Sequence, residues 1–166
     1  DYEKSNYISL SNKKINLFMD AGPSPDKNFS NKYQAGALSF EFVSGGKKIF
    51  TNSGYFTKKN TKLNKLSRMS AMHNTLVIDD DSSCSFKKKS KYELETKYDL
   101  KIIKKSIIFE KNYWKIIAAH DGFLKKYNLT FEREIEFYPE KFKLSGIDKI
   151  IGRKKLPNLK FDIRFH

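Results

Sequence analysis

Apolar and polar residues alternate with a period of two along much of the chain. The clearest case is residues 129–137, where apolar side chains and one arginine occupy one face and threonine and glutamates the other. Residues 38–42 and 160–165 alternate in the same way. Successive side chains of a strand point to opposite faces, so this period predicts half-buried strands. We expect six side chains from these runs to point into the core: Leu38, Phe40, Phe42, Leu129, Phe131 and Ile135.

Shorter apolar segments predict further strands. The sequence Ser-Gly-Gly-Lys at 44–47 lies between two apolar runs and predicts a hairpin, because glycine adopts the positive φ of tight turns. Other candidate strands are residues 7–10, 15–19, 75–78, 92–98, 102–109 and 114–118. One polar segment, 61–70, is a weak helix candidate. Strands spaced about ten residues apart predict an all-β fold, an antiparallel β-sandwich.

Length and composition indicate one domain over residues 1–166 with its own core. The chain is 39% hydrophobic and 14% aromatic, which excludes a disordered segment. A single cysteine, Cys84, excludes a disulfide framework within the chain and leaves the compartment open. No segment is long and apolar enough to cross a membrane, so we expect no membrane insertion. The chain starts at Asp1 and stops within an alternating pattern, so we expect a fragment of a longer protein.

The net charge of +14 suits a partner that is a polyanion: nucleic acid, an anionic membrane surface or an acidic polysaccharide. However, 29 of the 33 basic residues are lysine, and arginine is the residue preferred for bidentate phosphate contacts. The sequence also shows no recognition helix, RNA-binding aromatic strand or zinc finger. We therefore expect no nucleic-acid partner. The lysine-rich run at 87–91 predicts a solvated loop.

Six short segments of the chain resemble, in the same order, the motifs of one family. They are MDAGP at 19–23, QAGALSFE at 34–41, TNSGY at 51–55, AMHNTLVID at 71–79, AAHDGF at 118–123 and RFH at 164–166. These are similar to the DAGP, HAxxLSFE, VDSGxY, AxHNTVxVD, AHDGY and RFH segments of the C-terminal β domain of the heparinase II/III family. Each motif is weak alone. Six in order, spread over nearly the whole chain, make the resemblance specific.

The resemblance implies a supersandwich-like β domain that follows a helical toroid in the same protein, with an acidic polysaccharide in the cleft between them. It also implies a bacterial polysaccharide lyase of the periplasm or cell envelope that acts on uronate-containing glycans such as glycosaminoglycans. In β-elimination a base removes the C5 proton while the developing enolate is stabilised and the O4 leaving group is protonated. In the family the asparagine and tyrosine for this come largely from the toroid. We therefore expect the isolated chain to be inactive.

The resemblance also carries candidate site residues. The first histidine of the family's HxHxD-like motif corresponds to Lys32, a candidate catalytic position. The family's metal positions correspond to Gln34, Asn52 and His73, and His73 is also a catalytic candidate. Amides are poor zinc ligands, so we expect no cofactor, with a divalent metal such as zinc remaining the family's alternative. Instead we expect the three side chains to lie side by side on adjacent strands, as a hydrogen-bonded cluster near one end of the sandwich.

Each candidate has a structural alternative. Lys32 acts as a base if its pKa is depressed and is otherwise a solvated loop lysine. His73 enters an apolar run, where a hydrogen-bonded core histidine is common. Tyr33, Tyr55 and His120 are candidate substrate-binding residues, although strand tyrosines usually pack, and the His-Asp-Gly sequence at 120–122 first predicts a turn.

Two functions remain in competition. The first is a lyase module that builds one wall of the substrate cleft. The second is a non-catalytic carbohydrate-binding or scaffold module, motivated by the replaced motif residues at Lys32, Gln34 and Asn52. The substrate itself is left open by the sequence.

Overall fold

The computed structural model describes residues 6–57, 61–90, 93–152 and 158–166. Within these ranges the fold is dominated by twelve strands. They are β1 (Tyr7–Ser11), β2 (Ile15–Asp20), β3 (Phe40–Ser44), β4 (Lys47–Phe50), β5 (Leu76–Ile78), β6 (Phe86–Lys88), β7 (Leu94–Thr96), β8 (Ile102–Phe109), β9 (Trp114–His120), β10 (Leu129–Tyr138), β11 (Lys143–Gly152) and β12 (Phe161–Ile163).

The helices of the described residues are short. They are α1 (Thr61–Ser67) and α2 (Leu124–Tyr127), with 3₁₀ turns at Lys27–Lys32, Ser70–Met72 and Pro139–Lys141. None of the described helices has the length and apolar character needed to pass through a bilayer. The predicted helix 61–70 is confirmed in part, because α1 ends three residues earlier.

Two four-stranded antiparallel sheets form the body of the domain. The first has the order β1-β2-β3-β4 and the second β11-β10-β9-β8, so chain neighbours pair throughout. Strand β5 pairs with β12, and β6 with β7, in two-stranded ribbons. The predicted β3–β4 hairpin is confirmed, and Gly45 and Gly46 supply its positive φ values of 56° and 77°.

The core lies between the two sheets. The rings of Phe42 on β3 and Phe137 on β10 are 5.5 Å apart, and both belong to one hydrophobic cluster fed by both sheets. The six side chains predicted to point inward are all at most 7% exposed. Burial of a large apolar side chain contributes about 1.5–3 kcal/mol. The predicted antiparallel β-sandwich is therefore confirmed.

Several predicted strand limits differ from the observed ones. Leu38 precedes β3 and adopts a left-handed backbone with φ 59°, because its amide turns back to donate to the Asp20 carbonyl. The strand predicted at 92–98 is observed as β7, and Tyr92 lies outside the described residues. Strand β6 includes Lys87 and Lys88 of the lysine-rich run that was predicted to be a loop, so that prediction was wrong for these two residues.

One buried arginine ties the second sheet to the loops of the first. Arg133 points inward from β10 and donates from Nε and Nη2 to the Asp148 carboxylate, at 2.7 and 2.8 Å. Its Nη1 donates to the backbone carbonyls of Leu38 and Asn74. Both acceptors lie in connections next to the candidate site, so the core ion pair helps to hold that region in place.

Candidate functional site

A pocket of about 320 Å³ opens where the connections of the first sheet meet. Its walls come from strands β1, β2 and β3, from the segments 32–36 and 52–55, and from His73 in the connection that precedes β5. The lining residues are Tyr7, Phe18, Asp20, Lys32, Tyr33, Gln34, Gly36, Ser39, Glu41, Asn52, Gly54, Tyr55 and His73. We call it the site pocket.

The site pocket brings together six of the seven side chains proposed from the sequence: Lys32, Tyr33, Gln34, Asn52, Tyr55 and His73. These residues come from segments up to forty-one positions apart in the chain. The three former metal positions were expected on adjacent strands. They lie instead in the connections, since Gln34 precedes β3, Asn52 follows β4 and His73 precedes β5.

The carboxamide of Asn52 is engaged at both ends. Its Nδ2 donates to Ser39 Oγ at 3.4 Å, and its Oδ1 accepts from the Asn74 amide at 2.9 Å. The Asn52 backbone amide donates to Glu41 Oε1 at 3.2 Å. These bonds fix the wall of the pocket and leave the Asn52 oxygen directed at the backbone rather than at the cavity.

His73 is 4% exposed, and its Nε2 has no hydrogen-bond partner among the described residues. Burial and, second, the charge of His166 lower the pKa of His73 to about 4, and a hydrogen bond with the Ser67 backbone opposes both. The ring is therefore neutral near pH 7. Gly36 lies against it, and a Cβ there would come within 3.1 Å of the ring Cγ.

Asp20, the last residue of β2, lines the site pocket and was not among the candidate residues taken from the sequence. Burial raises the pKa of Asp20 to about 7, against a hydrogen bond from the Gly22 amide that lowers it. The hydroxyl of Tyr33 is buried without a hydrogen-bond partner, and burial followed by the charge of Asp20 raises the pKa of Tyr33. The position of Asp20 at the end of a strand, within the DAGP-like motif, was the available signal.

Lys32 and Tyr55 border the pocket differently. Lys32 is exposed at the end of a 3₁₀ turn. Tyr55 is half-buried, and its hydroxyl accepts from Asn64 Nδ2 of α1 at 2.8 Å. Helix α1 therefore positions Tyr55, whereas Lys32 lies on the exposed edge of the pocket.

The donor set does not fit the zinc site that the family implies. Asn52 uses its oxygen on a backbone amide, and glutamine and asparagine bring no negative charge to offset a divalent ion. His73 Nε2 is the one ligand-type nitrogen of the three positions. Within the described ranges no three His, Cys, Asp or Glu side chains are grouped in a way that could hold a metal. No step of the chemistry is assigned to a metal here.

His120 does not belong to the site pocket. It is the last residue of β9 and 0% exposed, packed against Phe123 and Phe131 with ring centroids at 5.7 and 5.5 Å. Its Nδ1 accepts from the Gly122 amide at 3.1 Å. Burial, then the charge of Arg133, lowers the pKa of His120 to about 3. A side chain with no surface cannot touch a substrate, so the expectation of a substrate contact was wrong and His120 is a core residue.

Two antiparallel sheets with a polar and aromatic pocket built on their connections define an all-β sandwich domain with one candidate site among those connections. Residues 1–166 match the family model described as heparinase II/III-like, C-terminal. The chain belongs to this family, and the resemblance noted from its motifs is confirmed. None of the curated proteins matches the chain. Membership makes the chain, in general terms, a module of a polysaccharide lyase.

Proposed function

We propose that the chain forms one wall of the substrate cleft of a polysaccharide lyase that cleaves uronate-containing glycans by β-elimination. The observation that carries the proposal is the convergence of six separately predicted residues on the site pocket. The opposite wall is a helical toroid domain of the same protein, and the protein acts in the periplasm or cell envelope. Both of these parts rest on the family alone.

The site pocket offers groups suited to an acidic sugar. Tyr7 and Phe18 stack at 5.2 Å between ring centroids, and such rings pack against the C–H face of a sugar. In the proposed reaction Lys32 lies beside the uronate carboxylate and offsets its charge. The base is neutral His73, whose Nε2 is buried and has no partner among the described residues, so its ring has to turn toward the cleft to take the C5 proton. The C4–O4 bond breaks as the C4–C5 double bond forms, and a group of the toroid protonates the departing O4.

The second candidate is a carbohydrate-binding or scaffold module without catalytic capacity. One observation favours it: Asn52 is locked into the pocket wall by Ser39 and Asn74 where relatives are expected to carry a carboxylate. In this alternative the pocket still binds the glycan, and no elimination product appears.

The test is elimination by the complete protein on unsulfated and sulfated uronate polysaccharides, followed by the ultraviolet absorbance of the unsaturated uronate. We expect His73→Ala and Lys32→Ala each to lower kcat/KM by at least about tenfold, since such groups contribute about 10²–10⁴-fold. Lys47→Ala, an exposed lysine on the hairpin, is the matched control. Full activity in both site variants would show that the site pocket is not part of the substrate cleft. Glycan binding without product from the wild type would establish the second candidate.

A further inference from the structure

A second pocket, larger than the first at about 420 Å³, lies between three other connections. These are residues 81–85 after β5, 97–100 between β7 and β8, and 121–127 between β9 and β10. It shares no lining residue with the site pocket. Its size falls within the range of small-molecule sites, about 300–1,000 Å³. Neither the family match nor the proposed function assigns it a role.

The floor of the second pocket is apolar and closely packed. Leu100 and Phe123 are each 2% exposed. Gly122 lies so close to its neighbours that a Cβ there would be 2.4 Å from the Ser83 carbonyl and 2.8 Å from Leu100 Cδ1. Asp121 Oδ1 accepts from the Lys101 amide at 2.7 Å and joins two of the three connections. The shape is therefore present before any ligand arrives, which reduces the entropy lost on binding.

The rim carries an exposed tyrosine and two lysines. Tyr98 is 42% exposed, and the Nζ atoms of Lys125 and Lys97 lie 4.3 and 5.3 Å from its ring centroid. Within the described part of the chain, neither ammonium group has a carboxylate within ion-pair distance. The neighbouring Lys126 differs, because it pairs with Asp81.

These groups match one kind of ligand. An apolar floor and an aromatic ring suit the C–H face of a sugar, and the rim carboxylate of Asp99 can accept hydrogen bonds from hydroxyl groups. No carboxylate of the described residues lies within ion-pair distance of either ammonium group, so an anion beside the Tyr98 ring is attracted by both. A neutral sugar would form no ion pair with the two lysines, and a small inorganic anion would make no contact with the apolar floor.

We infer that the second pocket binds an anionic sugar unit carrying a carboxylate or a sulfate, held by Lys97, Lys125 and Tyr98. The inference shares with the proposed function the class of ligand, an acidic glycan, and differs in the site. One chain would then hold a long glycan at two places. Binding at the second place becomes intramolecular, so long glycans bind more tightly than short ones.

The experiment is a titration of the 166-residue chain followed by backbone amide NMR, with a uronate oligosaccharide and a sulfated glycosaminoglycan oligosaccharide as the two probes. The amides of Tyr98 and Gly122 report on the second pocket, and those of Gly36 and Gly54 on the site pocket. We expect saturable shifts at Tyr98 and Gly122 with at least one probe, and the probe that produces them identifies the anion as carboxylate or sulfate. Shifts at Gly36 and Gly54 alone would overturn this inference and leave the proposed function standing. Shifts at Tyr98 and Gly122 alone would support this inference and count against the proposed function.

Variants separate a site from general attraction to a basic protein. The double change Lys97→Ala with Lys125→Ala should raise the Kd at the second pocket by at least about tenfold, and Tyr98→Ala should do so without altering the charge. The control is Lys47→Ala with Lys48→Ala, which removes the same charge from exposed residues on the β3–β4 hairpin. Equal losses in the two double variants would overturn the inference. So would inorganic sulfate producing the same shifts at the same concentration, since no sugar would then be needed.

Discussion

Burial shifts the pKa of an acid and of a histidine in opposite directions, and both cases occur next to one another here. With a pKa of about 7, Asp20 keeps part of its proton near neutral pH, and His73, with a pKa of about 4, is uncharged there. A pocket that receives an acidic sugar benefits from that state, because a charged Asp20 would repel the substrate's carboxylate. The Tyr33 hydroxyl and His73 Nε2 are both buried, and neither has a hydrogen-bond partner among the described residues.

The first prediction concerns Asp20→Asn. The pKa of Asp20 is about 7 in the folded chain, whereas the ordinary pKa of an aspartate is 3.8. Between these two pH values the folded state therefore binds a proton that the unfolded state does not. The contribution of Asp20 to the free energy of unfolding therefore falls as the pH rises from about 4 to about 7. We expect Asp20→Asn to stabilise the chain by about 1–3 kcal/mol above pH 7, with the gain vanishing near pH 4. Urea unfolding at several pH values measures it.

The exposed Asp80 provides the control for Asp20. Asp80→Asn should change stability little, and with no such pH trend. A gain from Asp20→Asn that is equal at acid and alkaline pH would show that the buried charge is not its cause.

The second prediction concerns His120→Gln and has the opposite sign. The pKa of His120 is lowered to about 3, so between about pH 6.5 and about pH 3 the unfolded state binds a proton that the folded state does not bind. The contribution of neutral His120 to the free energy of unfolding is therefore fully present above pH 6.5, the ordinary pKa of a histidine. It is lost as the pH falls toward about 3. Glutamine can accept from the Gly122 amide and stays neutral. We expect the variant to lose roughly 2–3 kcal/mol less stability than the wild type between about pH 6.5 and about pH 4.

Acid unfolding followed by tryptophan fluorescence measures this difference. Parallel pH curves for the wild type and His120→Gln would contradict the prediction whatever their separation.

At the scale of elements, alternation predicted the strands whose two faces meet different surroundings. Strand β10 follows it throughout, because one face meets the core and the other carries glutamates. Strand β11 was missed although it is ten residues long. Its inward positions include Gly146 and Asp148, and its outward ones include Ile147 and Ile151, which are each 52% exposed. Asp148 can point inward because Arg133 lies directly opposite, and that cross-strand partner is invisible in a local pattern.

The sequence motifs predicted which segments of the chain build the candidate site, but not which way their side chains point. The motifs named six side chains that meet in the site pocket. They gave no sign that the Asn52 oxygen is turned to the backbone, or that His120 is enclosed by Phe123 and Phe131. Burial depends on what the rest of the chain packs against a residue, which is why Asp20 was also overlooked. Spacing in sequence carries no such information.

The third prediction concerns the ion pair between β10 and β11. Removing one partner of a buried pair leaves the other charge uncompensated, which costs about 3–5 kcal/mol. We expect a loss of this size for Asp148→Ala, measured by urea unfolding, because Arg133 is 2% exposed and also donates to the Leu38 and Asn74 carbonyls. The double variant with Arg133→Met should lose less than the sum of the single losses.

The matched control for this pair is the Lys160–Asp162 pair, whose lysine side chain is 64% exposed. Asp162→Ala should cost less than about 1 kcal/mol. Equal costs for Asp148→Ala and Asp162→Ala would mean that the Arg133 pair contributes no more than a surface pair.

Over the whole molecule the net charge of +14 is unevenly distributed. On the outer face of the second sheet, Glu132 accepts from Lys104 and Lys149, and Lys115 bridges Glu134 and Glu136. This cross-strand ladder neutralises much of one face.

The fourth prediction is that the purified 166-residue chain produces no unsaturated uronate from any acidic polysaccharide, while the complete protein does. Its physical basis is that a base, a group offsetting the carboxylate and a proton donor act as a unit, and separated members of such a unit lose nearly all of the rate. The site pocket offers Lys32 and His73 on one side of a bound sugar and leaves its other side open to water, which weakens every charge interaction there. Absorbance of the unsaturated product over long incubations is the measurement, with the complete protein as the positive control. Product formed by the chain alone and abolished by His73→Ala would contradict the prediction and would make this β domain a catalyst in its own right.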